Sequence, residues 1–360
     1  MTTKRPLTRL AVSAQESEKR FDPKIHNSPS IPAINWAAIH QSAPQLLNTP
    51  SGQLPAADVI VITWAEAEWA ALEHVFCNSA TSMSYSARNT GSWSGWVKYD
   101  QGATSTQGWD YWGYYRLVKV GSKTVMLFKS NTHLDYPGEK ELSQMISNFI
   151  QHSKPQLILS IGTAGGAQTG DHIGTVNVVH AGTMYESGKP QSQWPKYSNQ
   201  WSANWNIISE QGFKKLLFPV PTTTSDLEGI CSQFNSFYNT KYSLNELNVN
   251  NLNMGDASPA INNMTGAGTA LLTTDSFVVA TSAGNLSAFA CVEMDDAVIA
   301  EVCASKHTAF GFVRNISDPV QNSALPQEAQ GNWGSAIYDA YGIYTSYNGA
   351  LAAWAIIAGS

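Results

Sequence analysis

Charge is what this chain has least of: 13% of its 360 residues are Asp, Glu, Lys or Arg, and 27 acids against 21 Lys and Arg leave a formal net charge of −6. No block of like charge occurs, which argues against a nucleic-acid surface, because phosphate-tracking proteins concentrate positive charge. Cysteine is scarce as well. Cys77, Cys231, Cys291 and Cys303 lie far apart, without a CxxC pair or a histidine at ligand spacing, so reduced, buried thiols are expected and no metal is implied. His74, His152, His172, His180 and His307 are equally scattered. The opening MTTKRPLTRLAVSAQESEKR has basic residues but no apolar secretion core, and no run reaches the length of a membrane helix. A cytoplasmic address with no membrane partner is the expectation.

What is present is enough chain to bury a large core. Residues 1–56 carry Pro6, Pro23, Pro29, Pro32, Pro44, Pro50 and Pro55, a density that prevents long helices and central strands, so an extended arm or disordered lead-in is expected there. Residues 57–360 are expected to form the folded domain. Val59–Ile62 read as a buried strand and Glu66–Phe76 as a helix with Trp69, Leu72 and Phe76 on one face. Further strands are expected in KTVMLFKS, at 157–161, in TVNVVHAG, in GTALLTTDSFVVAT and in HTAFGFVRNIS, with an apolar helix near 334–357 closing the chain. Strands alternating with helices predict an α/β fold, a mixed, mostly parallel central sheet flanked by helices. Long insertions are expected at about 79–118, rich in Ser, Gly, Trp and Tyr, and at 184–265, which is polar.

In such sheets ligands bind beyond the carboxyl ends of the strands, and three stretches put reactive groups there. Glu66 and Glu68 follow the first strand, Thr163-Ala164-Gly165-Gly166 follows the strand at 157–161, and Ser317-Asp318 follows the strand at 309–313. Each has an ordinary explanation. Acids in a first helical turn are favoured by the helix dipole, a Gly-rich turn is commonplace, and an aspartate before proline starts turns. Their joint occurrence at strand ends is the stronger signal.

SIGTAGG followed by VNVV, TTDSFV, VEMDDAVIAEV and FVRNISD resembles the nucleoside phosphorylase and nucleosidase superfamily, in particular the methylthioadenosine/S-adenosylhomocysteine nucleosidases, over roughly residues 57–357. The resemblance implies cleavage of a purine N-glycosidic bond without an organic cofactor, adenine being the expected base. It implies Asp318 as the acid protonating N7 of the leaving purine, help typically worth ~10²–10⁴ in rate, with Ser317 orienting it. It implies Glu68 as the carboxylate that activates water, with Glu66 a solvated neighbour. Thr163 and Gly165 of the Gly-rich turn join the substrate-binding set. Phe277 would stack on the base, the backbone of Val278 would read its edge, Met294 would line the sugar, and Asp295 would hold its hydroxyls. Asp296 is expected to be a bystander. The resemblance also implies a homo-oligomer, with the Pro-rich arm or the C-terminal helix packed between subunits.

Two departures bear on this. Relatives carry EME where this chain has Glu293-Met294-Asp295, one methylene shorter at the sugar clamp. Phosphorylases of the hexameric type place an arginine three residues before the Ser or Thr of the Gly-rich turn, and here that residue is Ser160. A carboxylate at Glu68 suits water and repels phosphate, so hydrolysis is favoured over phosphorolysis; a silent nucleoside-binding protein is the remaining alternative. For the 5′ side, the tryptophans and tyrosines of 93–115 would suit an apolar pocket or simply the core. Lys129, His133 and Arg116 are the candidate 5′-phosphate contacts, with Lys98 and Lys119 further basic residues nearby, which tilts the expectation toward an adenine nucleotide such as AMP or ATP.

Overall fold

Runs in which every residue is apolar make stable strands only where both faces of a sheet are covered. Val59–Thr63, VIVIT, is such a run and is buried throughout. In the computed structural model, which describes residues 21–89, 94–104, 109–168, 171–247, 259–266, 268–274, 286–319 and 325–360, it sits inside a sheet of thirteen strands. These are β1 (Gln45–Leu46), β2 (Val59–Thr63), β3 (Val97–Tyr99), β4 (Gly113–Val120), β5 (Lys123–Ser130), β6 (Leu157–Gly166) and β7 (Val176–Val179). They continue with β8 (Ala181–Met184), β9 (Lys196–Ser198), β10 (Ile261–Asn263), β11 (Leu271–Thr273), β12 (Cys291–Glu293) and β13 (Ala309–Pro319). The longer helices are α1 (Glu66–Cys77), α2 (Glu139–Asn148), α3 (Thr224–Tyr238), α4 (Asp296–Ser305) and α5 (Gln327–Ala358).

The middle of the sheet is parallel: β5, β2, β6 and β13 follow one another in that order, each parallel to its neighbour. Antiparallel strands surround this block, with β4 on β5, β12 on β6 and β7 on β13. A mixed sheet with a parallel centre and helices packed on it is therefore the fold. Because β2, β6 and β13 run the same way, their carboxyl ends open at one edge, the place for a site in a sheet of this kind.

α5 settles the end of the chain. Ile337, Tyr341, Tyr344 and the stretch from Ala350 to Ile357 are buried, and the helix packs on α1, β13 and β6. The expectation that this helix lies between subunits is corrected: its apolar surface is covered by its own chain. The described part of the Pro-rich stretch, from Phe21 on, likewise lies on the domain. Trp36 packs on Trp354 with ring centroids 4.3 Å apart, Tyr344 donates to the Pro29 carbonyl at 2.8 Å, and β1 pairs with β4. Prolines kept this segment out of helices and central strands, yet its Ile31, Ile34, Trp36 and Ile39 had apolar surface to bury.

Both long insertions contribute side chains to the core. β3 and β4 extend the sheet as an antiparallel pair, and Trp96, Trp109 and Trp112 are buried in the core. In the later insertion α3 buries Leu227, Ile230, Cys231 and Phe234, and Trp201 lies against Gly311 of β13, where a methyl group would meet its ring at 2.2 Å. Among the described residues, no helix is long and apolar enough to cross a membrane.

Candidate active site

β6 is the strand around which the site is built. Its Gly165 is flanked on one side by Asp318 of β13 and on the other by Val292 of β12, so the segments Glu293-Met294-Asp295 and Ser317-Asp318 leave the sheet next to the same glycine. Up to Ile316 the β13 register is regular, then Ser317 is bulged out and Asp318 takes the place opposite Gly165. A single extra residue reverses the side-chain alternation that follows it. Asp318 thus faces α5, as Asn315 does, rather than the side on which Arg314 lies. Asn315 meets Gly349 of α5 and Asp318 meets Gly334 of α5.

Glu68 binds the ends of β2 and β6 together. Its Oε1 accepts from Thr163 N and Oγ1 at 2.8 and 2.7 Å. Its Oε2 accepts from Thr63 Oγ1, Trp64 N and Ala65 N at 3.2, 2.9 and 2.8 Å. The last of these is a helix-capping contact, since Ala65 precedes α1 and Glu68 is the third helical residue. A carboxylate offers about four lone-pair positions, and here protein hydrogens fill both oxygens. Glu66, by comparison, is only half-buried.

Beside Glu68 stands a group the sequence reading did not single out. Arg314 is buried and donates through Nε and Nη2 to Asp296 at 2.7 and 2.5 Å. Nη2 also donates to Ser160 Oγ at 2.8 Å and lies 3.2 Å from Glu293. Both Arg314 and Glu68 overhang Gly162, where a methyl group would meet Arg314 Nη1 at 2.7 Å and Glu68 Oε1 at 3.0 Å. Ser160, read as the place of an absent arginine, is therefore covered by an arginine from the adjacent strand, one whose charge is already matched by carboxylates. Asp296 is no bystander but the bidentate partner. Burial and the neighbouring Asp296 push Glu293 up to about 8, against the pull of Arg314. Burial raises Asp296 also, with Arg314 opposing. A charged residue amid the apolar FGFV run of β13 was the available signal, because an arginine there must bury its charge with a partner.

Asp295 is buried and turned to the loop after β5. Its Oδ1 accepts from Leu134 N at 2.8 Å and its Oδ2 lies 3.3 Å from His133 Nδ1. Its own N–H donates to Glu293 Oε2 at 2.7 Å. The expected sugar clamp thus has both oxygens engaged by the protein, the shorter side chain being drawn onto the loop. Met294 beside it is half-buried.

Asp318 accepts from Ser317 Oγ at 2.6 Å, the partnership expected of that pair. Burial pushes its carboxyl up to about 6, the Ser317 hydroxyl pulling the other way. Desolvation of this kind favours the protonated form, which a leaving-group acid requires.

The candidate phosphate contacts do not converge. Arg116 donates to Ser94 O at 2.9 Å and lies 3.6 Å from Glu73, away from the strand ends. Lys129 is buried, and its ammonium is used by the carbonyls of Trp64 and Ser130. Burial lowers it to about 7, with Glu68, Glu66 and Asp295 partly restoring its charge. His133 meets Asp295. Two of the three candidate contacts are thus engaged by the protein itself, the lysine on two carbonyls and the arginine beside Ser94 and Glu73. Phe277 and Val278 lie outside the described residues. Among the described residues, no group of three or more His, Cys, Asp or Glu is arranged to hold a metal ion.

No protein-family model matches the chain, and no curated protein sequence does. Solved structures of similar shape include 5′-methylthioadenosine/S-adenosylhomocysteine nucleosidase from Neisseria meningitidis, with 16% identity over 84% of this chain and 99% of that one, and a TM-score of 0.45. The native futalosine hydrolase of Helicobacter pylori is similar at 11% identity, covering 83% of this chain and 96% of that one with a TM-score of 0.44. S-adenosylhomocysteine nucleosidase from Streptococcus pyogenes is similar at 15% identity, covering 85% and 98% with a TM-score of 0.44.

Proposed function

We propose that this chain is an N-glycosidase that hydrolyses a purine nucleoside and releases the free base, adenine being the base to test first. The observation that carries the reading is Asp318: an acid at the carboxyl end of a parallel strand, opposite Gly165, with its carboxyl raised to about 6 by burial. Protonation of the purine at N7 turns a poor leaving group into a neutral one, and a carboxyl whose pKa is raised toward neutrality is suited to that step. Gly165 and Gly166 bring bare backbone beside it, where a flat base can approach.

Water rather than phosphate is the proposed acceptor. The one guanidinium among these site residues, Arg314, is matched by Asp296 and Glu293, and Glu68 adds a further carboxylate. A dianion entering here would meet more negative than positive charge. The same reasoning favours a nucleoside over a nucleotide, given that Lys129 is set on two carbonyls and Arg116 lies beside Ser94 and Glu73. Chromatography of the purified protein incubated with adenosine, methylthioadenosine, AMP and ATP, each with and without phosphate, tests both points. Free adenine from the nucleosides in phosphate-free buffer is expected. Formation of ribose 1-phosphate only when phosphate is added would overturn the reading in favour of phosphorolysis, and absence of base from every mixture would overturn it in favour of binding alone.

A further inference from the structure

The geometry gives His133 a task other than that of a phosphate contact. Its ring is buried, packs on Trp64 with centroids 5.3 Å apart, and points Nδ1 at the Asp295 carboxylate at 3.3 Å. Asp295 is only an acceptor while ionised, and its other oxygen is already bound to Leu134 N. The shared hydrogen therefore belongs to His133 Nδ1, and in the neutral ring this leaves Nε2 with a free lone pair. Among the described residues nothing bonds Nε2. Trp64 connects this ring to the strand ends: its backbone N–H donates to Glu68 and its indole N–H to Ser160. Glu68, the expected water-activating group, has both oxygens filled by five protein hydrogen bonds and caps α1.

We propose that His133 is the base of the hydrolytic reaction, with Asp295 as its positioning residue and Glu68 as the anchor of the strand ends. The inference rests on the N-glycosidase reading. In the step, the oxygen of water bonds to the anomeric carbon of the sugar while the carbon–nitrogen bond breaks and its electron pair leaves with the purine. Asp318 gives its proton to the purine, and the water's proton passes to His133 Nε2, whose Nδ1 hydrogen stays with Asp295. Exchange with solvent returns the proton from His133 and restores it to Asp318. The charged group facing the imidazole is Asp295 at the start of α4, and Asp295 in turn acts on Lys129 of β5 together with Glu66 and Glu68 at the start of α1.

The test compares the intact wild-type chain with His133→Gln and His133→Ala, measuring base release from adenosine and methylthioadenosine across pH, with and without added imidazole. His133→Gln keeps a donor for Asp295 but has no basic nitrogen. Its kcat is expected to fall by ~10²–10⁴ with KM little changed. Imidazole should restore the rate of His133→Ala in proportion to its neutral form, a response that a purely structural histidine would not produce. A folded His133→Gln with wild-type kcat would overturn the proposal while leaving the N-glycosidase reading intact. Wild-type protein that releases no base would overturn both. Should His133→Ala fail to fold, the kcat and KM of the Gln variant decide alone.

Discussion

Arg314 and Asp296 meet through two parallel hydrogen bonds of 2.7 and 2.5 Å, inside the protein and 18 residues apart in the chain. The pair fastens the start of α4 to β13, and Ser160 and Glu293 complete the guanidinium's surroundings. Removing the cation would leave the buried Asp296 carboxylate without its matching charge. Arg314→Met is therefore expected to cost ~3–5 kcal/mol, and Arg314→Met with Asp296→Asn should cost less than the single change because one unmatched charge is gone. Denaturant unfolding of the two variants checks this; equal losses would show that Asp296 is not the partner that matters.

Asp318→Asn tests the leaving-group acid. The amide keeps the shape and can still meet Ser317, so the unfolding midpoint should hardly move while base release falls by ~10²–10⁴. With a carboxyl raised to about 6, kcat/KM of the wild type should decline as pH rises through that value, since the proton to be donated is lost. Full activity in the Asn variant would remove Asp318 from the mechanism.

Gly334→Ala probes how Asp318 is held. A methyl group there would meet Asp318 Oδ2 at 2.8 Å, whereas alanine in a helix interior is otherwise favoured over glycine by ~1 kcal/mol. Displacing the acid by about an ångström is expected to cost on the order of 10² in rate. In an Asp318→Ala background the same substitution should stabilise the protein. If Gly334→Ala were both fully active and more stable, the close approach of α5 would have no bearing on the acid.

Stability should vary with pH in two opposed ways. Glu293, raised to about 8 by burial and by Asp296, keeps its proton in the folded chain while the unfolded chain releases it near ~4.3. The folded state then binds the extra proton, so stability falls as pH rises from ~4.3 to about 8, and Asp318 adds to the lower part of that fall. Lys129, lowered to about 7 by burial, does the reverse. Its unfolded value of ~10.4 means that the unfolded chain holds the extra proton above pH 7, and stability recovers from there upward. Glu293→Gln should flatten the acidic branch and Lys129→Met the alkaline one. Thermal unfolding across pH reads both, and unchanged slopes in the variants would assign the dependence to other groups.

The strands at 59–62 and 157–161, the helix beginning at Glu66, and the parallel centre of the sheet were legible because they rest on local properties: apolar runs, periodicity and the alternation of strand with helix. The arrival of Asp318, Thr163 and Glu68 at one edge was legible for the same reason, as each follows a strand in sequence. Which hydrogens each carboxylate would receive was not. Asp296 looked like a surface residue until Arg314, from the next strand, came to lie against it. Lys129, at the end of β5, had the right position for a phosphate contact, and only the folded chain shows Trp64 O and Ser130 O in front of its ammonium.

By itself, then, the sequence determined the layered α/β architecture and the segments that reach the edge holding the candidate site, since hydrophobic burial acts on patterns a few residues long. The tertiary structure decided the pairing of charges: Arg314 to Asp296 rather than to a ligand, Glu68 to Thr163 and its own helix, and Asp295 to His133. Those choices depend on Coulomb and hydrogen-bond interactions that fade within a few ångströms, between groups up to 162 residues apart, and the chain must be folded before such groups can meet.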